Sequence, residues 1–121
     1  MSFSSDDLGR IATAKEVEIE TRAPDGPVHR TVIWIVLDRD EAFIRSYRGP
    51  TARWYREALA NPVVALHVDG RRLPSTAIPA TDPDSIERTS DALRAKYARD
   101  SGLRGMVAPE NLPTTLRLEP A

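Results

Sequence analysis

The segment RSYRGPTARWYREALANP, residues 45–62, gathers Arg45, Arg48, Arg53 and Arg56 around three large aromatic residues, Tyr47, Trp54 and Tyr55. Gly49-Pro50-Thr51 reads as a turn that opens a short helix, ARWYREALA, which stops at Asn61-Pro62. A helix N-terminus presents unpaired N–H groups and a partial positive charge. Thr51 adds a hydroxyl, and Arg48 and Arg53 add guanidinium forks that match phosphate oxygens. Trp54 and Tyr55 offer walls for a planar ring. Together these are the parts of a phosphate site. A plainer reading uses the same residues: Arg53 and Glu57 pair at i, i+4 on a wet face, Trp54, Ala58 and Leu59 pack on the body of the protein, and Arg45 alternates outward into solvent.

No other segment offers comparable chemistry. His29 and His67 fall in different predicted strands without metal-ligand spacing, so no metal site is expected. There is no cysteine, which removes thiol nucleophiles and zinc–thiolate sites. No GxSxG, GxxxxGK[ST] or GxGxxG pattern occurs. The acid pairs Asp6/Asp7, Asp38/Asp40 and Asp82/Asp84 lie where turns and helix starts account for them. No catalytic residue is assigned. If the protein is an enzyme, a bound cofactor carries the reaction.

The elements that must position this segment follow from patterning. The chain has 121 residues, 40% apolar and 29% charged, and is read as one domain over 1–121. Its net charge of −1 gives no general attraction to nucleic acid. No apolar run is long enough for a membrane span. MSFSSDDLGR lacks a signal-peptide pattern, so a cytoplasmic location is expected.

A serine-capped helix is predicted from Ser4 or Ser5. KEVEIETR alternates as a strand with one wet face. APDGP is a turn, and His29 to Asp38 is a strand apolar on both sides, which calls for cover on both sides. A third strand, AFIRSY, leads into the arginine segment. A fourth strand runs over Val63 to Val68, with a hairpin at Asp69-Gly70. The fifth runs from about Arg72 to Ala80. A long helix over residues 81–100 has a thin apolar stripe, Ile86, Leu93 and Tyr97, and is expected at the surface. TTLRLEP closes the chain with Leu116 and Leu118 inward. The expected fold is mainly β: six antiparallel strands in a small split or closed barrel with helices.

Glu20-Thr21, VHRTVIWIVLD, FIRSYRG and above all WYREALANPVVALHVDGRR resemble the deazaflavin-dependent nitroreductase family. More broadly the chain is similar to split-barrel flavin-binding proteins of the pyridoxamine-phosphate-oxidase type, as an uncharacterised branch. The resemblance covers roughly Val17 to Ala80. It implies a flavin- or deazaflavin-dependent oxidoreductase that passes a hydride to a small quinone- or nitro-type acceptor, or a split barrel that binds a ligand without turnover. It assigns the cofactor phosphate to Arg30 and Thr31 on the second strand and to Ser46, Tyr47, Arg48, Gly49 and Arg53 around the loop. Ile33 and Trp34 lie beside the ring, joining Trp54 as candidate cofactor-binding residues. The outer apolar face of the second strand must meet a helix or a second subunit, so a homodimer packed partly through strands two and three is expected. The first hairpin, Ala23 to Pro27, departs from the family's Gly- and Lys-bearing turn. Flavin mononucleotide (FMN), the deazaflavin coenzyme F-420 and other phosphorylated ligands therefore stay open.

Overall fold

The structure, a computed structural model, describes residues 2–121. Helix α1 (Ser5–Thr13) starts where the Ser4 hydroxyl accepts the Asp7 N–H, with Asp6 and Asp7 in the first turn, a favourable place for negative charge. Strand β1 (Val17–Arg22) buries Val17, Ile19 and Thr21 and turns its glutamates outward, as alternation requires. It pairs antiparallel with β2 (Val28–Ile33), Thr21 lying opposite His29.

Strands β3 (Val36–Asp38) and β4 (Glu41–Ile44) form a short hairpin. A single 3-10 turn, Gly49–Thr51, precedes α2 (Arg53–Ala60). Strands β5 (Val63–Val68) and β6 (Arg71–Pro79) form the expected hairpin at Asp69-Gly70, both residues at positive φ. Helix α3 (Pro83–Lys96) is capped by Asp82, whose carboxylate accepts the Ser85 N–H. A short helix α4 (Leu103–Met106), a 3-10 segment (Pro109–Thr114) and β7 (Leu116–Pro120) complete the chain.

All strands belong to one antiparallel sheet in the order β2-β1-β5-β6-β7-β4-β3. Among the described residues there are seven strands, not the expected six, because the long second strand breaks at Trp34-Ile35. The break has a topological cause. Strands β2 and β3 sit at opposite ends of the sheet order yet are separated by two residues. Laid flat, seven strands would span about 29 Å, but three chain steps reach about 11 Å at most. The sheet must therefore curl into a half-barrel until its edges nearly meet, and the backbone must leave one ladder to join the other.

The side chains at the break are held by the end of α3. Trp34 stacks on Tyr97 with ring centroids 3.8 Å apart and planes within 4°. Lys96 Nζ donates to the Ile35 and Ile11 carbonyls at 2.7 and 3.1 Å, and Tyr97 donates to the Lys15 carbonyl at 2.6 Å.

The curled sheet encloses one core, with Ile19, Ile33, Ile35, Ile44, Leu66, Leu116 and Leu118 at its centre and α1 and α2 against it. A second, smaller cluster lies outside: Val36, Phe43, Leu93, Tyr97 and Met106. These two clusters explain the apolar character of both faces over residues 33–37, while Val32 stays exposed. The surface expected for α3 is only partly its situation: its inner face buries Ser85, Thr89 and Ser90 beside Leu93, small residues that hydropathy patterning does not count as core. Strand β4 is also shorter than the expected AFIRSY, since the chain leaves the sheet at Arg45.

Candidate functional site

Arg45 follows β4 directly and is 1% exposed, which overturns its expected solvation. Its guanidinium donates to Thr115 Oγ1 (2.9 Å), Ser90 Oγ (2.9 Å), the Met106 carbonyl (3.0 Å) and the Ile86 carbonyl (3.1 Å). All four acceptors are uncharged. Burial, and then the charge of Arg94, lower its pKa to about 10, so it remains a cation at neutral pH.

The next loop is held just as firmly. The Ser46 N–H donates to Thr114 Oγ1 at 2.9 Å, and its hydroxyl donates to the Gly49 carbonyl at 2.7 Å. Asn111 Nδ2 donates to the carbonyls of Tyr47 and Gly105 at 2.9 and 2.8 Å. Gly49 has φ +77°, and a Cβ there would meet Asn111 Oδ1 at 3.0 Å, so turn geometry and close packing both call for glycine. Gly105 seats the Tyr47 ring, which lies where a Cβ on residue 105 would be.

Helix α2 leaves this loop with Ala52 as its N-cap and no side chain capping its first N–H groups. Its inner face buries Trp54, Tyr55, Glu57 and Ala58. Glu57 accepts hydrogen bonds from Thr21 Oγ1 at 2.7 Å and from His29 Nδ1 at 3.0 Å. Burial pushes the Glu57 carboxyl upward, but the bonds from Thr21 and His29 and the charges of His29 and Arg53 outweigh it and hold its pKa below the usual value. Arg53 Nε lies 3.8 Å from Glu57, the i, i+4 pair read in the sequence, while its Nη2 donates to Thr31 Oγ1 at 3.2 Å.

Between β2, the loop and α2 lies a cleft of about 660 Å³. Its walls are Thr31, Val32 and Ile33 on one side and Tyr47, Arg48, Thr51 and Ala52 on another. Arg53, Trp54 and Arg56 come from α2, with Arg45 and Met106 also lining it. No carboxylate lines this cleft. Among the described residues, Arg48 and Arg56 have no ion-pair partner.

Of the ten residues named from sequence and resemblance, the cleft brings together Thr31, Ile33, Tyr47, Arg48, Arg53 and Trp54. Arg30 points to the other face of the sheet and donates to Glu18 at 2.6 Å, because Arg30 and Thr31 are neighbours on a pleated strand. Trp34 lies beyond the strand break, on Tyr97. Ser46 and Gly49 are buried beneath the loop and shape it from within. Sequence reasoning did not place Val32, Arg56 or Met106 here. Arg56 had a legible signal, being one turn along the helix from Arg53. Met106 had none, since it comes from a four-residue helix 50 positions away. The two histidines are each held by a carboxylate, His29 by Glu57 and His67 by Glu20, and no metal-binding cluster occurs among the described residues.

A family model described as an uncharacterized protein conserved in bacteria, DUF2255, matches residues 7–118. The chain belongs to this family. No curated protein matches the sequence. Among solved structures, the DUF2255 chain is similar to a Listeria innocua protein assigned as a pyridoxamine 5'-phosphate oxidase, with 13% identity, TM-score 0.69 and coverage of 95% of this chain and 90% of that one. It is similar to an F420-H2-dependent reductase, with 16% identity, TM-score 0.67 and coverage of 87% and 94%. It is also similar to HutZ, the heme storage protein of Vibrio cholerae, with 15% identity, TM-score 0.68 and coverage of 100% and 92%. The chain spans from half to nearly all of the length of its structural neighbours, 50% to 94%. At these identities the likeness shows the fold: the DUF2255 chain is a split barrel of the kind these proteins share. No helix among the described residues is long and apolar enough to cross a membrane.

Proposed function

We propose that this DUF2255 protein binds a phosphorylated flavin-type cofactor, FMN or the deazaflavin coenzyme F-420, in the cleft between β2 and α2. On this reading it serves as an oxidoreductase toward a small quinone- or nitro-type acceptor. The observation that carries the reading is the cleft's charge: Arg45, Arg48, Arg53 and Arg56 line it with no carboxylate among them, in a chain whose net charge is −1.

The residues present fit the group. Arg48, Arg53 and Arg56, with the hydroxyls of Thr31 and Thr51 and the uncapped start of α2, suit a phosphate. Val32, Ile33, Met106 and the edges of Tyr47 and Trp54 give the apolar wall a ring system needs. The cofactor, when bound, supplies the hydride chemistry. The chain's own residues bind, orient and exclude water. The lining holds no Asp, Glu, His, Lys or Cys, so acid–base assistance has no side chain of those types to come from. The same observation favours a second reading, in which the ligand is bound and carried without turnover.

The deciding experiment titrates the purified protein with FMN, F-420 and hemin side by side, the last because a heme-storage protein shares the fold. Micromolar binding of FMN or F-420, followed by oxidation of its reduced form by an added quinone, is expected. Binding with no turnover selects the carrier, and binding of hemin alone overturns the flavin reading. The homodimer belongs to this proposal. Val28 and Val32 stand 46% and 56% exposed on edge strand β2, and a monomeric mass by light scattering at micromolar concentration would remove it.

A further inference from the structure

Beneath the cleft, one buried carboxylate faces both a histidine and an arginine. Glu57 is 8% exposed, and its Oε2 lies 3.0 Å from His29 Nδ1 and 3.8 Å from Arg53 Nε. Arg53 is the arginine that spans the two walls of the cleft, because its Nη2 also reaches Thr31. From the structure we infer that the His29–Glu57 pair positions Arg53 and sets its charge balance, so that protonation of His29 strengthens anion binding in the cleft. This rests on the anion-binding reading above and adds a regulation to it.

The hydrogen-bond chemistry supports the coupling. His29 Nδ1 faces a carboxylate, so Nδ1 carries a proton in both the neutral and the cationic ring. The proton exchanged on titration is the one on Nε2. The Glu57 contact therefore persists, and what changes is charge. With His29 protonated, the pair is neutral overall and Arg53 keeps its full attraction for a ligand. With His29 neutral, Glu57 is balanced by Arg53 alone and the cleft loses positive potential. Anion affinity then falls when His29 loses its proton.

The surroundings leave this pair isolated. Thr21, from β1, is not ionisable. The charges that bear on Glu57 are those of His29 and Arg53. Arg30 turns away to Glu18, and Arg22 donates to the Gly26 carbonyl. His67, the other histidine, is held by Glu20 on the opposite face of the sheet. Glu57 stays ionised through the relevant range, since its carboxyl is held below the usual value.

Sulfate is the probe, because its charge does not change between pH 5.5 and pH 8.5. Binding is followed by tryptophan fluorescence and calorimetry at constant ionic strength. For a part-buried pair acting at the edge of an open cleft, the expected change is about two- to fivefold in affinity. Wild-type affinity should fall by that factor from pH 5.5 to pH 8.5. His29→Asn, whose amide can donate from the Nδ1 position, should be flat at the high-pH value. Glu57→Gln should bind sulfate two- to fivefold more tightly than wild type at pH 8.5. A purely structural pair predicts something different: His29→Asn would keep the wild-type slope, or Glu57→Gln would leave affinity unchanged or lower it, and either result overturns the coupling. If Glu57→Gln does not fold, His29→Asn alone decides. Sulfate binding that is independent of pH in the wild type overturns only this inference. Absence of sulfate binding at every pH overturns the anion cleft as well.

Discussion

Arg45 and Arg53 are eight residues apart, and the fold gives them opposite work. Arg45 is sealed at the end of β4 and donates to four neutral oxygens from α3, α4 and the start of β7. Arg53 stands half exposed at the mouth of the cleft, shared between Thr31 and Glu57. A buried cation without a carboxylate is expensive to desolvate, and it persists here because its donors satisfy carbonyls and hydroxyls that would otherwise be stranded. An exposed cation costs little to keep and is available to a ligand. Position relative to water, and not residue type, separates a tie from a binding group.

The sharpest way to break this contrast is Arg45→Ala. It removes the shared donor from Ser90, Thr115 and two carbonyls and leaves a buried gap, and should cost about 3 kcal/mol or more. Calorimetry should show a melting point lower by roughly 10 °C. Arg45→Lys should not restore it, because one ammonium cannot reach four acceptors in a plane. A variant with wild-type melting behaviour would show that Arg45 is not a tie.

Trp34→Ala is next, at about 3 kcal/mol, the lower end for removing a packed tryptophan. Its stacking on Tyr97 holds the crossing from β2 to β3, so stability should fall while FMN or F-420 affinity does not. Loss of affinity at unchanged stability would return Trp34 to the cofactor site. Arg53→Ala should do the reverse. Anionic ligand affinity should drop at least tenfold, about 1.4 kcal/mol, with the melting point nearly unchanged. A lowered melting point alone would make Arg53 structural as well.

Much of the fold was legible because local chemistry dictated it. The alternation in KEVEIETR, the Asp69-Gly70 hairpin and the capped starts of α1 and α3 were readable from a few residues each. The extent of the second strand was not. Ten apolar-rich residues from His29 to Asp38 carry no turn signal, and the break at Trp34-Ile35 comes from closure of a sheet whose edges share that segment. The short helix over 103–106 was missed because four residues between Gly102 and Val107 give no periodicity to read.

The candidate site divides in the same way. Arg48, Arg53 and Trp54 stood out as a local cluster and do share one cleft. Arg30 does not line the cleft because pleating sends adjacent strand residues to opposite faces, and the face chosen depends on the register of β2 with β1. Ser46 and Gly49 sit in the loop that borders the cleft, but Thr114 and Asn111, more than 60 residues on, decide that they point inward.

The order of residues along the chain set the strand-rich composition of the elements, the hairpins, the helix caps and the clustering of arginine and aromatic residues before α2. These are short-range properties, set by side chains within a few positions of one another. Long-range packing selected which arginine is buried, which strand face meets α2, and that Glu57 joins His29 and Arg53 beneath the cleft. Those outcomes depend on how a seven-stranded sheet curls and which distant acceptors it delivers, and no window along the chain contains that information.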